Sequence, residues 1–255
     1  MSCTSDLSAP EVHELDFRSP ASEIEWASYH AIPRRVLFEL RGSGATHDAP
    51  MSKHLRLEIR REDHGSLAEY GSVSSRFEVS GVLDLSVADP ETGAFPIRPT
   101  APTWWKDYDA IPDNTPLDWP SRFAVHDWLL FAAFADGQRV GGAIVVVDPI
   151  AVAQLGGDPT LALLWDVRVH PDSRRRGVGR ALLAAAEDAV RLAGCRGIVV
   201  ETQDINVSAC RLYASLGFLL TKAVRDAYAG APNETQLEWA KLFPSGDDVE
   251  RDAGL

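Results

Sequence analysis

Residues 165–183 read Trp-Asp-Val-Arg-Val-His-Pro-Asp-Ser-Arg-Arg-Arg-Gly-Val-Gly-Arg-Ala-Leu-Leu. An apolar run ending at Val169 predicts a strand. Gly177 and Gly179 predict a turn, and Val178, Leu182, Ala185, Ala189 and Leu192 recur at helical spacing up to the stop at Gly194. A helix that starts on a glycine turn is an anion seat. Its first amides have no internal acceptor, its dipole places partial positive charge there, and glycine lets the backbone approach without a Cβ in the way. Arg174, Arg175, Arg176 and Arg180 add formal charge in a chain whose net charge is −12. That pattern suits a diphosphate; a solvated basic turn capping a sheet is the structural alternative. A Walker loop would need Gly-Lys-Ser/Thr, which is missing. The dinucleotide fingerprint would need a third glycine, although Glu201 falls near the distance of its acid.

Four further positions carry usable chemistry. Asn206 is a good helix N-cap, and Tyr213 follows it by seven residues, close to two helical turns, so both face one side. Asp166 and Glu201 lie in apolar strands, where an acid is costly unless it has a partner or a task. A salt bridge to Arg168 or another cation is the structural alternative to a catalytic role. His170 precedes Pro171 in the turn and reads as a loop-stabilising residue rather than a base.

The elements that must position these residues follow from periodicity. Arg35–Leu40 looks like a strand, residues 41–50 like a linker, and Leu55–Ile59 alternates apolar and polar as a strand. Met51, after the linker, raises an alternative start with 1–50 as an appendage. Residues 77–87 form another alternating run. Residues 90–120 hold seven prolines, which argues against regular structure, and their aromatics Trp104, Trp105, Tyr108 and Trp119 either wall a site or cover the sheet. Residues 128–135 and 139–147 flank the hairpin signal Asp136-Gly137, and with 161–169 they read as a buried antiparallel meander. Residues 197–202, 218–223 and 236–242 complete a mixed α/β sheet, with a parallel pair made by the helical crossover at 177–194.

The 255 residues are enough for one large domain, or one plus an extension. No run of about 18 apolar residues appears and the N-terminus lacks secretory order, so neither a membrane span nor a signal is expected. The acidic balance argues against gripping nucleic acid and favours cationic partners such as amines, or serves only solubility. Cys3, Cys195 and Cys210 are odd in number and have no metal-ligand spacing, so no metal is expected, Cys210 reads as a core thiol, and cytoplasm is the natural compartment.

Arg174-x-x-Gly177-x-Gly179, with the preceding Val-His-Pro-Asp and the following Ala-Leu-Leu, resembles the (Gln/Arg)-x-x-Gly-x-(Gly/Ala) motif of Gcn5-related N-acetyltransferases (GNAT). The block from Glu201 through Asn206 and Tyr213 to Gly217-Phe218 resembles that family's asparagine–tyrosine helix, in the right order and spacing. Trp165–Val169, Glu201-Thr-Gln and Lys106-Asp-Tyr108 look most like streptothricin-type members. One departure is Arg175, where many relatives have glycine.

The resemblance implies the GNAT fold: a mostly antiparallel sheet whose central parallel strands splay, flanked by helices, over residues 53–243. Residues 1–52 would be an extension and 244–255 an acidic tail. It implies acetyl-coenzyme A as cosubstrate, its pantetheine arm held at Val167 and Val169, and its pyrophosphate held along Arg174, Arg175, Arg176, Gly177, Val178, Gly179 and Arg180. Asn206 would touch the arm and Tyr213 the thioester sulfur, while Asp166 or Glu201 would take the amine's proton or anchor the amine. The expected reaction is direct acetyl transfer to a primary amine, with a streptothricin-like or other small acceptor favoured. A protein lysine or N-terminal acetyltransferase and a non-catalytic coenzyme A module are the alternatives, and a homodimer joined edge to edge stays open.

Overall fold

The computed structural model describes residues 35–40, 55–86, 95–147, 158, 160–228 and 230–244. The expected linker, the alternative start at Met51, the acidic tail beyond 244 and most of the 148–160 loop lie outside them.

Ten strands are present among the described residues: β1 (Arg35–Leu40), β2 (Leu55–Glu62), β3 (Phe77–Leu83), β4 (Ile97–Lys106), β5 (Leu129–Ala135), β6 (Gln138–Val146), β7 (Leu161–Val169), β8 (Gly197–Gln203), β9 (Leu219–Val224) and β10 (Gln236–Leu242). Three helices accompany them, α1 (Leu67–Gly71), α2 (Val178–Leu192) and α3 (Val207–Ser215). Eight strands form one sheet in the order β1-β2-β5-β6-β7-β8-β10-β9. All its pairings are antiparallel except β7–β8, which the α2 crossover makes parallel. β1, from the segment before residue 52, pairs with β2.

The hairpin at Asp136-Gly137 forms as its sequence demands. Both residues adopt positive φ, 50° and 78°, matching the strand twist. The core lies on both faces of the sheet. One layer joins the sheet to α2 and α3 through Leu164, Leu182, Ala186, Val200, Tyr213 and Trp239; the other packs Tyr70, Trp119 and Trp128 against Leu130, Ile144 and Leu163. At Gly142 a Cβ would sit 2.5 Å from the Tyr70 ring, so only glycine lets α1 lie flat on β6.

The proline-rich stretch differs from expectation: β4 pairs with β3 as a separate two-stranded ribbon. Prolines are tolerated because β4 is paired on one side only. The register also jumps from Val79↔Trp104 to Gly81↔Pro99, so residues 100–103, including Pro102, need no partner.

Candidate active site

β7 and β8 pair only at Leu161↔Gly197, Ala162↔Ile198 and Leu163↔Val199. Beyond that point β7 stays with β6 (Ile144↔Asp166, Ala143↔Val167, Gly141↔Val169) and β8 stays with β10. The separation coincides with a bulge. Val145 faces Leu164 and Ile144 faces Asp166, which leaves Trp165 as an extra residue that bends β7. Trp165 holds the bend by packing on Trp119, Phe123 and Trp128, with ring centroids 5.8, 4.8 and 4.8 Å away.

The resulting cleft, of about 220 Å³, is lined by Asp166, Val167, Glu201, Asn206 and Tyr213, with Tyr108 and Asn114 from the segment after β4. Between Leu164 and Val169 the edge of β7 that faces β8 has no strand partner among the described residues. Buried main-chain groups need partners, so this edge suits a ligand that itself carries amides. Val169 points its side chain into the α2 and α3 layer while its carbonyl accepts from Arg174 Nε at 3.0 Å.

The expected anion seat follows β7 in the chain, at the start of α2. Gly177 caps α2 with φ 85° and no side chain among the described residues caps the helix end, so the amides of Val178, Gly179 and Arg180 stay open there; the ladder starts at Ala181 N to Gly177 O, 3.0 Å. A Cβ on Gly179 would lie 3.0 Å from Leu212, so glycine here sets how closely α2 approaches α3. The arginines divide. Arg174 turns inward, donating to Val169 O and, at 2.6 Å, to Arg76 O. Arg180 donates to Ser215 Oγ, while Arg175 and Arg176 are exposed. Arg175 itself has φ 62°, a left-handed conformation that glycine adopts without strain.

The two acids have different surroundings. Asp166 Oδ2 accepts from Tyr70 Oη at 2.9 Å and Arg168 Nε at 2.7 Å. Arg168 is buried; it also donates to Val73 O at 3.0 Å and Asp109 at 3.2 Å, and it lies over the Tyr70 ring. Burial works against the Arg168 charge, but Asp166 and Asp109 outweigh it and hold the guanidinium above its ordinary value. The salt bridge considered from the sequence is therefore present. Glu201 instead meets one neutral donor: Tyr228 donates to Oε1, and Oε2 has no partner among the described residues. Gln203 Nε2 donates to Tyr228 Oη at 3.1 Å, and Tyr108 donates to Gln203 Oε1.

On the helix side, Asn206 Oδ1 caps α3 by accepting from Ala209 N at 3.3 Å. Tyr213 is buried against Phe218 and Trp239, and burial raises its phenol well above the tyrosine range. Burial pushes the Cys210 thiol up to about 12, as for a core residue. His170 Nδ1 accepts from Asp172 N at 3.3 Å within its turn. Among the described residues no His, Cys, Asp or Glu cluster could hold a metal. No helix among them is long and apolar enough to cross a membrane.

Tyr70, Asp109 and Gln203 were not singled out by type and spacing. Tyr70 and Asp109 come from segments without periodic signal, whereas Gln203 ends the β8 strand and stood in the Glu201-Thr-Gln block without a role; only folding brings the three to the site. A second, larger cavity of about 780 Å³ lies beyond the 204–205 turn, walled by Asp84, Arg98, Trp104, Asp204 and the 225–235 segment.

The chain matches the acetyltransferase (GNAT) family over residues 98–218. Streptothricin acetyltransferase A of Bacillus subtilis is 39% identical over 84 residues, 32% of this chain and 49% of that protein. The match thus spans about half the length of that relative. Streptothricin acetyltransferase of Escherichia coli is 28% identical over 186 residues, 72% of this chain and 95% of that protein. In structure, the acetyl coenzyme A complex of a Bacillus anthracis protein assigned as a streptothricin acetyltransferase superposes with TM-score 0.59 at 23% identity, covering 74% of this chain and 99% of that one. The fold, the two motifs and these matches agree: residues 98–218 carry the match to the Gcn5-related N-acetyltransferase family, enzymes that use acetyl-coenzyme A, and the chain is similar to the streptothricin acetyltransferases.

Proposed function

We propose that this protein transfers the acetyl group of acetyl-coenzyme A to a primary amine on a small, cationic acceptor of the streptothricin kind. The observation that carries this is the splayed β7–β8 pair opening beside an uncapped helix N-terminus, with an acid whose second oxygen is uncommitted in the gap. The pyrophosphate would rest on the amides after Gly177, with Arg175 and Arg176 near it. The pantetheine amides would complete the edge of β7 at Val167 and Val169.

Glu201 suits the proton-accepting role better than Asp166, because Asp166 already holds Arg168 and Tyr70. In the reading we favour, Glu201 draws the proton from the incoming ammonium, directly or through a water. The neutral nitrogen attacks the thioester carbon and a main-chain amide near Val167 holds the oxyanion. Collapse breaks the carbon–sulfur bond. Tyr213 is a poor proton donor here, since its buried phenol ionises above the ordinary value of about 10 and a thiol near about 8.5. It would therefore stabilise the departing thiolate by a hydrogen bond; the nitrogen gives up two protons, one as the ammonium to Glu201 and one from the tetrahedral adduct, of which one reaches the thiolate through solvent and the other leaves to solvent.

The bulk of the acceptor would lie toward the larger cavity behind the 204–205 turn. The buried thiol of Cys210 fits a reducing, cytoplasmic setting.

The test is Glu201→Gln, read by thiol release with streptothricin as probe. The expected result is a kcat lower by roughly 100-fold with unchanged acetyl-coenzyme A affinity. Full turnover in that variant would remove Glu201 from the reaction, and no thiol release across a screen of amines by the wild type would leave a coenzyme-binding module.

A further inference from the structure

Tyr228 lies on the connection from β9 to β10, 27 residues from Glu201 in sequence, yet its hydroxyl reaches the Glu201 carboxylate. Its single proton is committed to Oε1, and its lone pair is filled by Gln203 Nε2 at 3.1 Å. The Gln203 amide is held in turn by Tyr108, which donates to Oε1. An amide oxygen can only accept and an amide nitrogen can only donate, so the sense of the chain is fixed from Tyr108 through Gln203 and Tyr228 to Glu201. Every donor points toward the carboxylate, and such chains polarise cooperatively. Burial, followed by the Glu201 contact, raises the Tyr228 phenol well above its usual range, so it remains a neutral donor.

We propose that Tyr228 is a positioning residue for acetyl transfer, capping one oxygen of Glu201 so that the other meets the acceptor amine in a fixed orientation. This rests on the acetyl-transfer reading above. An uncapped glutamate rotates among several states, whereas the cap leaves one. The same 225–235 segment walls the larger cavity through Arg225, Asp226 and Glu234, so the element that would border the acceptor also sets the carboxylate. The other charges around Glu201 do not serve as the cap. Glu238 lies opposite it on β10 and accepts from Thr221 Oγ1, Lys222 lies one strand further, and Lys106 is held by Glu234. Across the splay Asp166 is held by Arg168.

The experiment compares Tyr228→Phe, Glu201→Gln and the double variant, with streptothricin as probe acceptor and calorimetric acetyl-coenzyme A binding as a check on folding. Tyr228→Phe is expected to lower kcat roughly 10-fold while the KM for acetyl-coenzyme A stays within about twofold. The double variant is expected to match Glu201→Gln alone, because the cap acts only through the carboxylate. Multiplicative losses, or an unchanged kcat, overturn the proposal. Gln203→Leu, which breaks the chain one link earlier, gives a smaller loss in the same direction if Tyr228 cannot be replaced without unfolding. A structure of Tyr228→Phe with acetyl-coenzyme A adds a readout that needs no acceptor. Glu201 should leave its present orientation, and an undisturbed Glu201 refutes the idea. Failure of the wild type to bind acetyl-coenzyme A would instead refute the parent reading.

Discussion

The expected anion seat comes from consecutive residues, Arg174 to Arg180, whereas the wall around Asp166 and Glu201 draws Tyr70, the adjacent Tyr108 and Asp109, and Tyr228 from three separate segments. As proposed, the seat would work mainly through main-chain amides and glycine geometry at the start of α2. The wall works through side chains that contact one another across 25 to 96 positions of sequence. A site built from local backbone tolerates change in its surroundings, while a site built from a long-range side-chain network fails together. Coenzyme binding and acceptor handling should therefore be separable by mutation.

The sharpest way to break that comparison is Gly177→Glu. A carboxylate at the helix end meets the incoming phosphates, and a side chain at φ 85° is strained. Acetyl-coenzyme A affinity is expected to fall at least about 100-fold by calorimetry. Retained affinity would place the pyrophosphate elsewhere.

Arg168→Met probes the other side. It leaves Asp166 and Asp109 without their shared cation, and the removal of one member of a buried pair costs about 3 kcal/mol. The unfolding midpoint and acceptor turnover should both fall, while acetyl-coenzyme A affinity changes by no more than about threefold. If coenzyme affinity collapses as well, the two regions are one unit.

Arg175→Gly has the smallest effect. Relief of the left-handed strain, less the extra freedom of glycine when unfolded, leaves about 0.5 kcal/mol of stabilisation, visible as a small rise in the denaturation midpoint. A loss of stability would mean that the Arg175 side chain holds the turn.

Much of the fold was legible because its signals are local. Asp136-Gly137 marks a turn by the φ it demands, Val178 to Leu192 marks one face of a helix, and Gly194 ends it with φ 79°. The ribbon was not legible. Pro99 and Pro102 read as breakers, and only the unpaired outer edge of β4 and its register jump reconcile them with a strand. Within the cleft, Asn206 and Tyr213 could be paired by helical spacing, and Asp166 and Glu201 stood out as acids in apolar strands. Which of the two acids would be held by a buried arginine could not be read, because Arg168, Tyr70 and Asp109 meet only after α1 folds onto Gly142.

By itself the sequence determined the strand–turn–helix with its open amides, since a few adjacent dihedrals and glycines specify that geometry. The tertiary structure alone decided where the parallel strands part, through Trp165 wedged among distant aromatics, and which oxygen of Glu201 stays free, through Tyr228. The physical reason is range: backbone conformation is set by neighbours in the chain, whereas the partner of a buried polar group is set by whatever segment packing brings beside it.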